Sequence, residues 1–495
     1  MLKNLFILFF ITTFTALATA QDGHKIAVTL DNYDQEELYL GYYFADKQYL
    51  KDTVQRNDNG VFVFQSDTAK LDAGMYLVVM APDNNYFQLM VNDHEQHFSV
   101  KTDAKSPNEK MQVSGSKDNK LFYDYLSYLG KQRPLAESLN KGIAEATDEN
   151  AKKGIQQKLT QLNESVQKYQ TDLIENNPQT LSSALIRVNM SPEIPKFTGE
   201  DADVKRWRWM QERYFDQIDM ADDRMIRTPF LFQRVNNYVE KMVVQHPDTI
   251  YEAVDLVLQK VQPAEASFKF FLTHFLNKYA AAKVVGQDAV YVKIAQNYYA
   301  QGLAPWTEEE QLKKIVDNAN TLEPLLIGKT APDFKAYQLD IPTTLSLAET
   351  EESEHKKFKL ANEQTLHGVE SPYTVLIFWA PDCGHCKKAM PDLKKFYTDY
   401  KDKGVEVFMV CTKTYKEVPD CAEILDENQA FEWMNIVDPY MRSRMTATYD
   451  VRSTPQIYVL DADKEIISKR IGSEQLPEVI DQIMKQDAER AQGGE

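Results

Sequence analysis

Short alternating runs open the chain. Glu37-Leu38-Tyr39-Leu40-Gly41-Tyr42-Tyr43, Gly74-Met75-Tyr76-Leu77-Val78-Val79-Met80 and Phe87-Gln88-Leu89-Met90-Val91 are short, aromatic and rich in β-formers. Asn59-Gly60 sits between Asp52-Thr53-Val54 and Val61-Phe62-Val63-Phe64, which predicts a hairpin. These runs predict an antiparallel β-sandwich over residues 21–112. The period then lengthens. Ile155, Leu159, Leu162, Val166, Tyr169 and Leu173 recur at alternate spacings of four and three, so one helical stripe is apolar. Such a stripe suits a helix packed on its neighbours in the same chain better than a two-chain coiled coil. A helical domain is predicted over 113–325. Trp207, Trp209, Phe230, Phe232, Phe268, Phe270, Phe271, Tyr298 and Tyr299 read as its core. From 326 the pattern alternates. Thr374–Trp379 is an unbroken apolar run, as a strand buried on both faces requires. A helix follows over 384–401, then a strand at 405–410, a helix at 428–434, strands at 455–460 and 465–467, and a helix at 476–484. This is an α/β domain over 326–487. The polar residues 488–495 read as a disordered tail.

Composition narrows the function. The chain has 495 residues and a globular balance of 43% apolar and 26% charged residues. Lys and Arg number 56 against 74 Asp and Glu, a net charge of −18. That argues against a nucleic-acid partner, which needs a basic face to displace counterions. Residues 1–20 combine Lys3, the apolar run Leu5–Phe10 and the small-residue pattern Ala18-Thr19-Ala20. This is the pattern of a cleaved signal peptide, and no later stretch is apolar enough to span a membrane. The expectation is an exported protein in an oxidising compartment, with the periplasm of a Gram-negative bacterium as its place.

His94 and His97 form an H-x-x-H pair with no evident third ligand, so they read as ordinary histidines and no metal site is predicted. The chemistry lies with the cysteines. There are 4, all in the last third of the chain. Cys383-Gly384-His385-Cys386 follows a buried strand and opens a helix, the setting of a redox-active dithiol. At a helix start the first cysteine meets free N–H groups and the positive end of the dipole, which favour its thiolate. His385, when protonated, adds to this. Asp382 opposes it, because an adjacent carboxylate disfavours a second negative charge. Cys386, one turn in, is placed to resolve a mixed disulfide. The couple needs no added cofactor. Cys411 and Cys421 are open to three readings, a structural disulfide, two separate buried or partly buried thiols, or a second redox role.

Phe378-Trp379-Ala380-Pro381-Asp382-Cys383-Gly384-His385-Cys386-Lys387 resembles the active-site segment of the thioredoxin superfamily, in the C-G-H-C variant shared with protein disulfide isomerases. Ser453-Thr454-Pro455 matches the superfamily's cis-proline loop. Gly328-Lys329-Thr330-Ala331-Pro332-Asp333-Phe334 is similar to the entry segment of the exported TlpA/ResA-type branch, which peroxiredoxins share. The resemblance covers about 326–485. It implies a thioredoxin fold, with Cys383 and Cys386 catalytic and with Gly384, His385, Trp379, Thr454 and Pro455 in support. It also implies protein substrates bearing disulfides or dithiols, and a membrane or periplasmic thiol as electron donor. Two positions depart from the pattern. Ile377 stands where a buried acid often assists the second cysteine, and Asp382 stands in place of a tryptophan.

Three functions follow. The first is an exported thiol-disulfide oxidoreductase, working as a reductase. The second is a peroxiredoxin-like peroxidase, against which Ala380 stands where that chemistry expects a threonine or serine. The third is a non-enzymatic envelope binding protein with a regulatory dithiol.

Overall fold

The computed structural model describes residues 23–190, 192 and 194–493; residues 1–20, read as a signal peptide, lie outside them. The protein is multidomain, with β sheets first, helices next and an α/β sheet last, and it divides into two compact units.

The first unit comprises residues 1–242 and 259–268. Its described residues include eight strands: β1 (His24–Asp31), β2 (Glu37–Phe44), β3 (Lys47–Gln55), β4 (Val61–Ser66), β5 (Gly74–Met80), β6 (Asn85–Val91), β7 (His97–Asp103) and β8 (Gln112–Ser114). They form two four-stranded sheets, ordered β4-β1-β7-β8 and β3-β2-β5-β6. Ile26, Val28, Phe62, Phe64, Leu38, Leu40, Tyr76 and Val78 fill one core between them. Two expectations change. The sandwich is mixed, because β1 pairs in parallel with β7. The Asn59-Gly60 turn forms, with Gly60 at φ 77°, but its flanking strands go to different sheets: β4 pairs with β1 and β3 with β2. The apolar alternation of Val61–Phe64 serves the core from the opposite sheet. His94 and His97 lie at a turn and a strand start, and the described residues contain no metal-holding group of His, Cys, Asp or Glu.

The helices Lys117–Glu145 and Glu149–Asn176 form an antiparallel pair, with Tyr128 stacked on Tyr169 at 4.0 Å between ring centroids. The apolar stripe of the second helix thus has its partner within the chain. Asn119, fully buried, anchors the first helix to β6 by accepting from Met90 N–H and donating to its carbonyl. Trp207 and Trp209 are a correction: no residue of the Ala202–Glu212 helix is buried, so these rings are outside the core.

The second unit comprises residues 243–258 and 269–495. Its sheet has seven strands in the order β10-β9-β13-β12-β11-β14-β15. These are β9 (Lys335–Leu339), β10 (Leu360–Thr365), β11 (Tyr373–Trp379), β12 (Val405–Cys411), β13 (Met434–Val437), β14 (Gln456–Leu460) and β15 (Ile466–Lys469). β11, β12 and β13 run parallel, and β14 is antiparallel to β11. Val375, Ile377 and Trp379 bury into one core and Leu376 and Phe378 into the other, as the unbroken run predicts. The helix expected at 428–434 instead occupies Val418–Glu427, where Pro419 sits in its first turn, and β13 takes the following segment. The closing helix extends over Leu476–Gly493, so the segment read as a disordered tail is helical through Gly493.

Candidate functional site

The parallel strand β11 ends at Trp379, and a short turn leads into the Gly384–Tyr400 helix. Trp379 is buried, and its carbonyl accepts from both the N–H and the hydroxyl of Thr412 beyond the end of β12. This holds the turn against the neighbouring strand. Cys383 is the residue that caps the helix: its sulfur accepts from the Cys386 N–H at 3.1 Å. A sulfur in that position meets the unpaired donors of the first helical turn, where negative charge is favoured.

The two cysteines differ in environment. Cys383 is partly exposed, whereas Cys386 is 2% exposed and sits in the core with Ile377, Trp379 and Met390. Burial pushes the Cys383 thiol up. Hydrogen bonds from the side chains of Cys386 and Thr454 and from the N–H groups of Cys386 and His385 outweigh it and bring the thiol below its ordinary value. Burial pushes Cys386 up to about 12, and its hydrogen bond to Cys383 adds to this. The outer sulfur is therefore the more readily ionised of the two, and the inner one is held protonated.

The cis-proline loop completes the site. The Thr454–Pro455 bond is cis. In the thiol form Cys383 donates to the Thr454 carbonyl at 3.1 Å. Gly384 is the first residue of the helix, with open space where a Cβ would be. His385 is exposed, and it acts on Cys383 through its backbone N–H. The structure thus brings together Trp379, Cys383, Gly384, His385, Cys386, Thr454 and Pro455. Cys411 and Cys421 stand apart as a buried disulfide linking β12 to the Val418–Glu427 helix.

Lys413 is a site residue that the sequence did not reveal. Its ammonium lies 2.7 Å from the Asp382 carboxylate, and this hydrogen bond holds Asp382 below the ordinary carboxylate range. The ion pair offsets the carboxylate beside Cys383. No spacing signal connects positions 31 apart; only the pairing of β11 with β12 brings them together. Ile377 is fully buried among apolar neighbours, so no acid lies there.

Residues 327–469 match the AhpC/TSA family. Residues 24–122 and 147–322 match two domains of unknown function, DUF4369 and DUF5106. The thiol-disulfide oxidoreductase ResA of Bacillus cereus is 27% identical over 154 residues, covering 31% of this chain and 73% of the relative. The thioredoxin-like protein YneN of Bacillus subtilis is 26% identical over 154 residues, covering 30% of this chain and 85% of the relative. Among solved structures, a thioredoxin-like protein from Bacteroides caccae covers 58% of this chain and 96% of its own, at 18% identity and a TM-score of 0.42.

Proposed function

Because the part of the chain that holds Cys383 and Cys386 is thioredoxin-like and residues 327–469 match the AhpC/TSA family, we propose that this protein is an exported thiol-disulfide oxidoreductase that reduces disulfides in protein substrates. The observation that carries the reading is the asymmetry of the dithiol: Cys383 is partly exposed, helix-capping and lowered in pKa, while Cys386 is buried and raised.

The Cys383 thiolate attacks one sulfur of a substrate disulfide. The new S–S bond joins Cys383 to the substrate, and the second substrate sulfur leaves as a thiolate that takes up a proton. Cys386 then loses its proton and attacks Cys383 Sγ, releasing the first substrate sulfur. The substrate gains two electrons, and Cys383–Cys386 becomes the disulfide. A thiol donor returns it to the dithiol by the same steps. Hydrogen bonds to the Cys383 thiolate stabilise the reduced form and by themselves move a couple toward oxidising, whereas the Asp382 carboxylate next to it disfavours the thiolate and opposes that shift.

Export is supported by the Met1–Ala20 pattern and by the buried Cys411–Cys421 disulfide, a bond suited to an oxidising compartment. The AhpC/TSA match supports peroxidase chemistry as a second reading, but Ala380 offers no hydroxyl three residues before Cys383. Insulin reduction driven by a dithiol tests the proposal. Activity in the wild type and its loss in Cys383→Ser is the expected result; undiminished activity in that variant, or rapid peroxide consumption without insulin reduction, would overturn it.

A further inference from the structure

A cavity of about 500 Å³ opens beside the cis-proline loop, within the second unit. One wall is Ser453, Pro455 and Arg470 of the α/β domain, and the facing wall includes Tyr279, Asp288 and Asn318 of the helical segment that precedes it. Ser453 and Pro455 bracket Thr454, whose carbonyl lies 3.1 Å from the Cys383 sulfur. A polypeptide joined to Cys383 through its own cysteine has its neighbouring residues within reach of this space.

Polar links fix the two walls. Arg452 donates to Asn318 at 2.7 Å and pairs with Asp450 at 2.8 Å. Lys469 pairs with Asp288 at 2.6 Å, with both side chains buried. The second carboxylate oxygen of Asp288 is buried and has no hydrogen-bond partner among the described residues, leaving an acceptor for a donor brought in by a ligand. Arg470 is exposed at the cavity and has no ion pair among the described residues. Its φ of 57° lies in the left-handed region, which a residue with a Cβ adopts at a cost and which is found at sites under functional constraint.

We propose that this cavity binds the stretch of substrate polypeptide next to the cysteine under attack, as an extended segment bearing an acidic side chain that pairs with Arg470. The inference rests on the redox reading of Cys383 and names its substrate class. The volume falls in the range of clefts that enclose a small ligand, roughly 300–1,000 Å³. It admits a few residues of flexible chain and excludes the rigid surface of a compact protein. The helical segment is then a specificity wall, and disulfides in unfolded or flexible segments are the preferred substrates.

The test compares steady-state exchange by the full chain with three probes: a flexible peptide disulfide with aspartate beside its cysteine, the same peptide with lysine there, and bis(2-hydroxyethyl) disulfide. The wild type should prefer the aspartate peptide, by about fivefold at low salt for one exposed charge pair. Arg470→Glu should invert that preference. Ala282→Trp, which places a large ring at the cavity, should lower the ratio of peptide to small-disulfide kcat/KM by at least about tenfold, through KM. Equal use of the two peptides by the wild type, with ratios unmoved in both variants, would overturn the proposal while leaving the redox reading intact. A wild type that exchanges none of the three probes would sink both.

Discussion

The sulfur of Cys383 lies 3.1 Å from the carbonyl oxygen of Thr454, a residue 71 positions later in the chain. That contact joins the helix start after β11 to the loop before β14, two antiparallel neighbours in the sheet. It puts the sulfur proposed to attack substrate beside the backbone of the cis-proline loop.

The tasks proposed for the two cysteines differ, so their variants should fail differently. Cys383→Ser should lower disulfide exchange on the order of 10³-fold or more, as loss of a nucleophile does. Cys386→Ser should keep the first step and accumulate a mixed disulfide with substrate, visible by mass spectrometry and cleared by dithiothreitol. A Cys386→Ser protein that turns over normally would contradict the assigned resolving role.

The pKa directions set a pH dependence. Hydrogen bonds bring Cys383 below its ordinary value, so its thiolate, and with it alkylation by iodoacetamide, should rise through a midpoint below that of a free thiol. Cys386, held up to about 12, should stay unmodified across the neutral range. The sign for stability follows. The depressed Cys383 favours the folded dithiol protein above the unfolded thiol pKa, and this contribution is lost as pH falls through the folded pKa. The raised Cys386 does the reverse: its cost to the fold appears as pH rises through the unfolded pKa. Peptide mapping of alkylated protein across pH checks the order of the two sulfurs.

Lys413 pairs with Asp382 at the surface of the site. Lys413→Met should leave that carboxylate unscreened beside Cys383 and raise the thiol pKa. The alkylation rate at pH 7 should fall by no more than about fivefold, the scale of an exposed pair. Asp382→Asn in the same protein should restore it. Equal rates in all three proteins would show that the pair does not act on the thiol.

Lys469 and Asp288 are both buried, and burial pushes the Lys469 ammonium below its ordinary value despite the pair. Lys469→Met strands the Asp288 charge and should cost about 3–5 kcal/mol. In a domain of this size that lowers the melting temperature on the order of 10 °C. Asp288→Leu combined with Lys469→Met should recover most of the loss, because a matched apolar pair carries no desolvation penalty. Differential scanning calorimetry reads both.

Much of the redox site was legible because its signals are local. The C-x-x-C spacing, the apolar run of β11 and the helix start lie within 14 residues, from Tyr373 to Cys386. Non-local pairing was not legible. Lys413, Asn318 and Arg470 come near the site through sheet order and helix packing, which no residue spacing encodes. β9 and β10 were missed for a related reason. Leu360-Ala361-Asn362-Glu363-Gln364-Thr365 is polar and stands at the sheet edge, so it carries no apolar alternation to announce a strand. The Asn59-Gly60 turn and the strands on either side of it were legible and their pairing was not, because a turn fixes chain reversal without fixing which sheet receives each arm.

The central claim is that Cys383 and Cys386 form a reducing couple. Its most direct test is the reduction potential of the full chain, measured by equilibration against thiol-disulfide buffers with quantification of the Cys383–Cys386 disulfide. A reducing couple should titrate as a two-electron couple near thioredoxin's, about −270 mV. A value near about −120 mV, or a dithiol that forms no disulfide across the buffer range, would contradict it.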